Sequence, residues 1–375
     1  MKHILIITSF GPSLINFRFD LIKKLLSKGH KVSVATPINS FPDNLQKKLI
    51  DLGIQINFFS LSRANINLLK DFKSLLEIYK IIKNLQPHII MSYTAKPVIY
   101  TGISLKLFSK INFYPLITGL GSTFTEINSI RSFLLKNVMI YLYKLGLKSS
   151  AVIIFQNIDD QSLFLKLKII NKKQLSSIVN GSGVNLNSYP LTELPTKPVF
   201  LMMARLLIAK GVREYVEAAR IVKASFFDAK FLLAGKLEKN FRGISKNELN
   251  SWVNQGAIEY LGEVKSVQSI LKSCRFFILP SYYREGVPRS ILEALSTGRP
   301  VITTDTPGCR ETVTHKKNGL LVKPKDPIAL ANAMIKLINE KDEVIQKMAK
   351  ESYIKAKNNF EINKINNDML KIMNI

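Results

Sequence analysis

Two glutamates flank a short helix start in residues 281–312, and their spacing suggests the chemistry of the site. Glu285 and Glu293 are separated by seven residues. Gly286 and Pro288 break regular structure between them, so Glu285 is expected in a loop and Pro288 in the first turn of the helix that follows. A helix N-terminus offers free N–H groups and a partial positive charge. The stretch therefore predicts a phosphate-binding turn with a carboxylate on either side.

Two cations stand at another predicted strand-to-helix turn. Arg205 follows the apolar run 198–204, and Lys210 opens the next helix five residues later. An arginine binds phosphate oxygens as a planar fork, and a lysine acts as a point charge. The pair therefore predicts a diphosphate site.

Four more candidate residues follow predicted strands of the first half. In open α/β sheets, ligands bind at the carboxyl edge of the strands. Lys96 is a candidate anion contact there, although a single lysine is more often a solvated surface residue. The glycines would let the backbone approach a ligand. These residues are Gly11 after strand 2–8, Lys96 after strand 88–92, and Gly119 and Gly121 after strand 115–118.

The elements that must position these residues alternate between strands and helices. Short apolar runs are typical of buried parallel strands, and longer runs with helical spacing lie between them. No GxGxxG follows the first strand, which argues against a dinucleotide site. The pattern predicts an α/β protein of two doubly wound, Rossmann-like domains. Predicted strands are 2–8, 31–36, 54–59, 88–92, 115–118, 151–155, 198–204, 229–235, 258–261, 275–280, 301–304 and 319–322.

A chain of 375 residues is long for one core, and two domains are expected. Prolines at 190, 195 and 198 punctuate a polar stretch and mark the boundary. The predicted division is an N-terminal domain at 1–185, a linker at 186–197, a C-terminal domain at 198–355, and a final helix at 356–375 that packs back on the first domain.

The net charge of +27 implies an anionic partner, which could be nucleic acid, anionic lipid or a phosphorylated substrate. Residues 1–190 carry 24 Lys and Arg against 8 Asp and Glu. A general compositional bias toward Lys, Asn and Ile explains the excess equally well. Cys274 and Cys309 are expected to be small buried residues in a reducing compartment.

Helix 131–148 is basic and rich in aromatic residues, with little polar face. It predicts either a helix lying on a membrane surface or an ordinary core-facing helix. No secretory signal opens the chain, and no run reaches the roughly 20 apolar residues of a spanning helix. The protein is expected to be cytoplasmic, at the inner face of the membrane.

These residues and their spacing resemble those of the retaining GT-B glycosyltransferases of family 4, and the resemblance covers nearly the whole chain. The shared features are the Glu-x7-Glu spacing, Arg205 with Lys210, and the helix start after Gly286. Four further motifs are similar to the bacterial branch that builds capsule, O-antigen and glycoprotein oligosaccharides: SYTAKP at 92–97, TGLG at 118–121, NGSGV at 180–184 and TPGCRE at 306–311. Members of that branch add sugars, often from UDP-N-acetylhexosamines, to saccharides linked to undecaprenyl diphosphate.

The resemblance implies a role for each candidate residue. Arg205 and Lys210 would neutralise the donor diphosphate, Glu285 would bind sugar hydroxyls, and Glu293 would bind the ribose. The two domains would face each other across a cleft. The backbone at Gly262 and Val264 would meet the base; Gly286, Val287, Pro288, Arg289 and Ser290 would hold the distal phosphate; and Gly11, Lys96, Gly119 and Gly121 would line the opposite side.

The resemblance also implies that the two glutamates are not a hydrolase acid and base, since such a pair must flank the scissile bond. Retention would proceed by front-face attack, with the donor phosphate taking the acceptor proton. Many family members carry a histidine after the strand ending near Ser92, and this chain has Tyr93-Thr94-Ala95 instead. No Asp-x-Asp occurs, and the four histidines lack ligand spacing, so neither metal nor cofactor is expected.

Two other function classes remain open on sequence grounds. A GT-B-fold sugar-nucleotide epimerase would share the two domains, although the Arg205, Lys210 and Glu-x7-Glu set favours transfer. A basic nucleic-acid-binding protein would explain the charge. No nucleic-acid-binding motif is present, however, and the cations are scattered through the α/β pattern.

Overall fold

The chain forms two compact units in the computed structural model, which describes residues 1–62, 67–108, 110–124, 130–238, 242–264 and 266–375. The first unit contains Met1–Ser182 and Lys364–Ile375, and the second contains Gly183–Asn363. The chain therefore passes from one unit to the other twice.

A parallel sheet of seven strands organises the first unit, in the order β3-β2-β1-β4-β5-β6-β7. The sheet grows outward in both directions from β1 and β4, so its topological switch point lies between these two strands. Buried residues such as Ile4, which is in register with Val32 and Ile89, form its centre. The strands are β1 (His3–Thr8), β2 (Lys31–Pro37), β3 (Gln55–Phe59), β4 (Ile89–Tyr93), β5 (Asn112–Ile117), β6 (Ile153–Phe155) and β7 (Ser176–Ile178).

Helices cover both faces of this sheet. One apolar core packs α1 and the C-terminal helix α13 against the strands, and the other packs α3, α4 and α5. Tyr114 of β5 donates its hydroxyl to the Met373 carbonyl at 3.3 Å, which fixes the chain just after α13. The helices are α1 (Pro12–Ser27), α2 (Asp43–Ile50), α3 (Leu68–Leu85), α4 (Ala95–Ser104), α5 (Ile130–Gly146), α6 (Ile158–Lys166) and α13 (Ile362–Ile372).

The second unit is built on a parallel sheet of six strands, in the order β10-β9-β8-β11-β12-β13. Its switch point lies between β8 and β11. The strands are β8 (Val199–Met203), β9 (Lys230–Ala234), β10 (Glu259–Tyr260), β11 (Phe276–Leu279), β12 (Val301–Thr304) and β13 (Gly319–Val322). The helices are α7 (Val212–Lys223), α8 (Lys246–Asn254), α9 (Val267–Ser273), α10 (Arg289–Ser296), α11 (Pro327–Asn339) and α12 (Asp342–Phe360).

The prediction of two doubly wound α/β domains is confirmed by these two sheets. Some boundaries differ. Helix α1 begins at Pro12 rather than at residue 17, because proline suits the first helical position. Strand β4 begins at Ile89, and His88 lies before it, where its Nδ1 accepts from the His3 backbone N–H at 2.9 Å.

The segment predicted as a linker, 186–197, is packed onto the second unit. Arg299 is fully buried and donates to the carbonyls of Thr192 and Glu193 at 2.8 and 2.9 Å, and it also bonds the Cys274 carbonyl at 2.8 Å. Arg275 donates to the Pro195 carbonyl at 2.7 Å. Two buried arginines thus tie down a stretch whose prolines and polar residues suggested a free connection. The predicted boundary at residues 355 and 356 also falls inside α12, since the first unit resumes only at Lys364.

Gly102 allows α4 and α5 to pack backbone to backbone. A Cβ at Gly102 would lie 1.6 Å from the Gly146 carbonyl oxygen, and a backbone group cannot move aside as a side chain can. We expect Gly102→Ala to lower the free energy of unfolding by about 3 kcal/mol or more. Gly29→Ala is the control. Gly29 has a left-handed φ of +78° with open space around its Cβ position, so its cost is about 1 kcal/mol. Urea denaturation measures the free energy of unfolding of both variants. Equal losses of stability in the two variants would contradict the close packing at Gly102.

Candidate active site

The loops that follow β8 and β11 meet at the switch point of the second sheet. The backbone N–H groups of Tyr282 and Tyr283 both donate to the Ala209 carbonyl, at 2.9 and 2.8 Å. Because β8 and β11 are neighbours in the sheet, these two bonds join the residues just past their carboxyl ends. The loops carry Lys210 and Glu285, which the sequence places 75 residues apart.

Lys210 and Glu285 form an ion pair at this junction. Both side chains are only 12% exposed, and the Lys210 ammonium contacts Glu285 Oε1 directly. The Ser281 hydroxyl donates to the same oxygen at 3.0 Å, and the Lys210 ammonium lies 5.3 Å from the centre of the Tyr283 ring. Each charge is costly to bury alone, and each compensates the other. The carboxyl edge of the second sheet therefore holds a cation and a carboxylate side by side.

Two glycines let the loops approach this closely. A Cβ at Gly211 would lie 2.2 Å from the Pro280 carbonyl oxygen, and one at Gly308 would lie 2.1 Å from the Gly286 carbonyl oxygen. Both residues also have left-handed φ angles, +81° and +83°. Gly308 belongs to the TPGCRE motif, for which no structural role is predicted from the sequence. In the structure this motif supports the backbone that carries Glu285.

Arg205 lies on the same loop as Lys210 but pairs with a different acid. Its guanidinium is 3.2 Å from Glu238 Oε1, and its side chain is half exposed. Glu238 follows β9, on the far side of β8 from Glu285. The structure therefore places both predicted cations at the carboxyl edge and gives each its own carboxylate.

Helix α10 begins at Arg289, and Pro288 is its N-cap rather than a first-turn residue. Pro288 has an extended conformation and no side-chain hydrogen bond to cap the helix. The turn before it contains Gly286 and Val287, the latter buried in the core. The first-turn N–H groups, including that of Ser290, thus begin a helix that no side chain caps. This arrangement fits the predicted phosphate-binding turn.

Glu293 lies one turn into α10 and is almost completely buried. Arg289 Nε donates to Glu293 Oε1 at 3.0 Å, and Arg289 also donates to the Gly183 carbonyl at 2.6 Å. Tyr189 also favours the charged form of this carboxylate. Burial raises the pKa of Glu293 above its ordinary value, although Arg289 and Tyr189 both act to lower it. The sequence does not predict Tyr189 and Ser281 as site residues, because local spacing does not show that they lie beside Glu293 and Glu285.

The turn predicted to meet a base follows the edge strand β10. Gly262 has a left-handed φ of +69°, and its carbonyl accepts from the Gly235 N–H at 2.7 Å. Val264 packs against the core of the unit. Tyr260 donates its hydroxyl to the Gly235 carbonyl at 2.8 Å, so the loops after β9 and β10 are bound to each other.

Thr94 holds a strained backbone at the switch point of the first sheet. Its φ of +71° and ψ of 150° lie in a region that a β-branched residue rarely enters, at a cost of about 1–3 kcal/mol. Its hydroxyl donates to Ser9 Oγ at 2.8 Å, across the ends of β1 and β4. Tyr93 is buried, and its hydroxyl lies 2.8 Å from that of Ser13. This strained turn occupies the position after Ser92 where family members often carry a histidine.

The ammonium of Lys96, the predicted anion contact, is already paired with groups of the protein itself. Its ammonium lies 2.6 Å from Asp71 Oδ1 and donates to the Ser62 carbonyl at 2.8 Å. Its charge is therefore balanced within the first unit.

The glycines predicted beside Lys96 have different structural reasons. A Cβ at Gly11 would lie 2.3 Å from the Phe41 ring, so Gly11 is required by packing. Gly119 and Gly121 have left-handed φ angles of +96° and +63°, as a sharp turn after β5 requires.

Other chemistries find little support in the described part of the chain. No group of three or more His, Cys, Asp or Glu residues there could hold a metal ion.

Cys274 and Cys309 are both buried, and burial raises the pKa of each thiol to about 12. Neither thiol is therefore a ready nucleophile. Within the described ranges, none of the helices combines the length and apolar character needed to cross a bilayer.

Comparison with known proteins identifies the family. The family model described as Glycosyl transferases group 1 matches residues 197–340, and that described as Glycosyl transferase 4-like matches residues 5–157. The N,N'-diacetylbacillosaminyl-diphospho-undecaprenol alpha-1,3-N-acetylgalactosaminyltransferase of Campylobacter jejuni subsp. jejuni serotype O:2 is 31% identical over 345 residues, which is 88% of each chain. The chain belongs to the group 1, family 4 glycosyltransferases. The predicted resemblance is thus confirmed, and this glycosyltransferase is an enzyme rather than a basic nucleic-acid-binding protein.

Further similarities agree with this assignment. The UDP-Gal:alpha-D-GlcNAc-diphosphoundecaprenol alpha-1,3-galactosyltransferase of Escherichia coli is 27% identical over 327 residues, covering 84% of this chain and 82% of that protein. Sucrose-phosphate synthase from Thermosynechococcus elongatus has a TM-score of 0.80 at 17% identity, covering 100% of this chain and 98% of its own. Anabaena HepE in complex with UDP has a TM-score of 0.79 at 18% identity over both whole chains. The glycosyltransferase therefore has the GT-B fold.

The raised pKa of Glu293 makes stability depend on pH. The folded protein holds this proton more tightly than an unfolded chain, so the free energy of unfolding falls as the pH rises through the raised pKa. Glu293→Gln is neutral throughout. We expect the stability of the variant relative to wild type to increase as the pH rises from about 4, the ordinary glutamate range, toward neutrality. Urea unfolding across this range tests it.

The control for this experiment is Glu248→Gln, which neutralises a partly exposed glutamate paired with Arg213. It should not show the same relative gain. Parallel stability curves for wild type and Glu293→Gln would contradict the assignment of a raised pKa to Glu293.

Proposed function

We propose that this glycosyltransferase moves a sugar from a UDP-sugar to a saccharide linked to undecaprenyl diphosphate, with retention of configuration. The sugar we propose is an N-acetylhexosamine, and the product would serve bacterial surface polysaccharide or glycan assembly. The observation that carries the proposal is the Lys210–Glu285 pair at the switch point of the second sheet. The names of two relatives, each acting on a diphosphoundecaprenol-linked sugar, support the acceptor class.

The donor diphosphate would bind at the junction of the β8 and β11 loops. Lys210 provides a positive charge there, and the uncapped start of α10 provides backbone N–H groups. Arg205 is half exposed on the same loop, and it can exchange its partner Glu238 for a phosphate. Positive charge at this position would also stabilise the UDP that leaves during transfer.

The two glutamates would bind hydroxyls. When Lys210 turns to a phosphate, Glu285 loses its cation and can accept from a hydroxyl of the donor sugar while still held by Ser281. Glu293 would receive the ribose, with Arg289 and Tyr189 fixing its carboxylate. The turn at Gly262 and Val264 would contact the base. None of these roles needs a protein nucleophile, which is compatible with front-face attack and proton transfer to the donor phosphate.

The first unit would hold the acceptor. Gly11, Gly119 and Gly121 lie in turns at or near the carboxyl edge of its sheet, and Thr94 is strained at its switch point. Lys96 would position the turn through Asp71 rather than bind an anion alone, because its charge is already balanced. A lipid-linked acceptor would keep the enzyme at the inner face of the membrane as a peripheral protein.

A donor and acceptor screen tests the proposal. UDP-linked and other nucleotide-linked hexoses and N-acetylhexosamines are incubated with a short-chain lipid diphosphate monosaccharide, and the product linkage is determined by NMR. We expect transfer from a UDP-N-acetylhexosamine with an α linkage. Interconversion of the UDP-sugar without acceptor would instead support an epimerase, and an inverted linkage would contradict front-face retention.

Three substitutions test the site. We expect Arg205→Ala, Lys210→Ala and Glu285→Ala each to lower kcat/KM about 100-fold or more, since each removes a preorganised charge or ligand. Arg213→Ala is the matched control, because Arg213 is also half exposed and also paired with one glutamate, Glu248. Circular dichroism verifies the fold of each variant. Near-normal transfer by all three would overturn the site.

A further inference from the structure

Two helices of the first unit expose apolar stripes that no part of the described chain covers. On α3, Leu69, Phe72 and Leu76 follow one another at spacings of three and four residues, so they share one helix face. Leu69 is 84% exposed and Phe72 is 62% exposed. Exposed apolar side chains are common one at a time, but a continuous stripe marks an interaction surface.

Helix α5 carries a second stripe. Ile130, Leu134, Val138 and Tyr141 are exposed and follow at spacings of four, four and three residues. Phe133 adds to the same side, and Ile130 is 81% exposed. The opposite side of α5 enters the core through buried residues such as Tyr143. The sequence left α5 open as either a membrane helix or a core helix, and the structure shows one face buried in the core and one exposed apolar face.

The two stripes lie on the same layer of the unit. Helix α4 packs against α3 on one side and α5 on the other, so all three cover one face of the sheet. Each crossover helix in a parallel sheet begins at the carboxyl edge of the strand before it. Both stripes begin in the first turn of their helix, at Leu69 in α3 and at Ile130 in α5, which places that end of each stripe toward the edge that holds Thr94 and Lys96.

The charge around these stripes is positive. The exposed face of α3 continues from its apolar residues into Lys80 and Lys83, and Lys73 is also exposed on that face. The acids of α3 are engaged, Asp71 by Lys96 and Glu77 by the N–H of Ser60. Helix α5 contains no acidic residue in its sequence. An apolar stripe flanked by lysines is complementary to acyl chains beneath anionic headgroups.

We propose that the exposed faces of α3 and α5 dock the first unit on an anionic phospholipid bilayer. This docking surface consists of Leu69, Phe72 and Leu76 of α3 and Ile130, Phe133, Leu134, Val138 and Tyr141 of α5. A second copy of the chain fits less well, because it would bring the same lysines together. The inference builds on the proposed lipid-linked acceptor, since it sets the carboxyl edge of the sheet at the membrane where that acceptor lies.

The test is sedimentation with vesicles of phosphatidylcholine alone or mixed with phosphatidylglycerol, without substrate. The intact protein should bind the mixed vesicles more strongly, and added salt should release it. The double variant Phe72→Asp with Leu134→Asp should lower the partition coefficient about 10-fold or more, because both apolar anchors become anions. The matched control is Phe227→Asp with Ile328→Asp, which makes the same kind of change at exposed sites of the second unit.

Three results would overturn the docking surface. The first is that the Phe72→Asp, Leu134→Asp variant binds the mixed vesicles as strongly as the wild type. The second is that the control variant loses as much vesicle binding. The third is that light scattering finds the wild type as a dimer and this variant as a monomer. If the aspartates unfold the unit, Phe72→Ser with Leu134→Ser replaces them. Transfer to a water-soluble short-chain acceptor should survive in the variant while transfer to a vesicle-embedded acceptor falls. If the wild type transferred no sugar to either acceptor, the proposed function would be contradicted. The vesicle-binding result would still test the docking surface on its own.

Discussion

The ion pair between Lys210 and Glu285 is the contact around which the second unit arranges its site. A buried charge without a partner costs several kcal/mol, so each residue fixes where the other loop must lie. The bonds to the Ala209 carbonyl and the close approaches at Gly211 and Gly308 serve the same junction. An incoming phosphate would compete with Glu285 for Lys210. The free protein thus keeps the proposed phosphate-binding cation neutralised, and donor binding would replace one anionic partner with another.

The network around Glu293 shows a different balance. Burial of the charged carboxylate has a net free-energy cost, as its raised pKa indicates, although Arg289 and Tyr189 both stabilise the charge. A structure selected for stability alone would place an apolar side chain there. The proposed binding of ribose hydroxyls by Glu293 would account for a carboxylate at this costly position, since proteins accept such costs at functional sites.

Much of the architecture follows from local pattern, because strand order and the alternation of elements determine which loops share an edge. Glu285 and Lys210 could be assigned to that edge from spacing alone. Their contact with each other could not, and nor could the pairing of Lys96 with Asp71, since local periodicity carries no information about distant partners. Helix α4 was also missed. Its sequence contains Pro97 and Gly102, which are unusual in helices. Pro97 lies in the first turn, where no intrahelical N–H bond is lost, and Gly102 is explained by its close packing against α5.

The placement of α13 bears on how the protein is made. Ile365, Met369, Leu370 and Met373 complete an apolar core whose other members lie in the first half of the chain. During synthesis that core stays open until the whole second unit has left the ribosome. The second unit can fold on its own contacts as it emerges, whereas the first must wait with its α1 face uncovered. The unit translated first is therefore the last to close, and until then its apolar face is exposed.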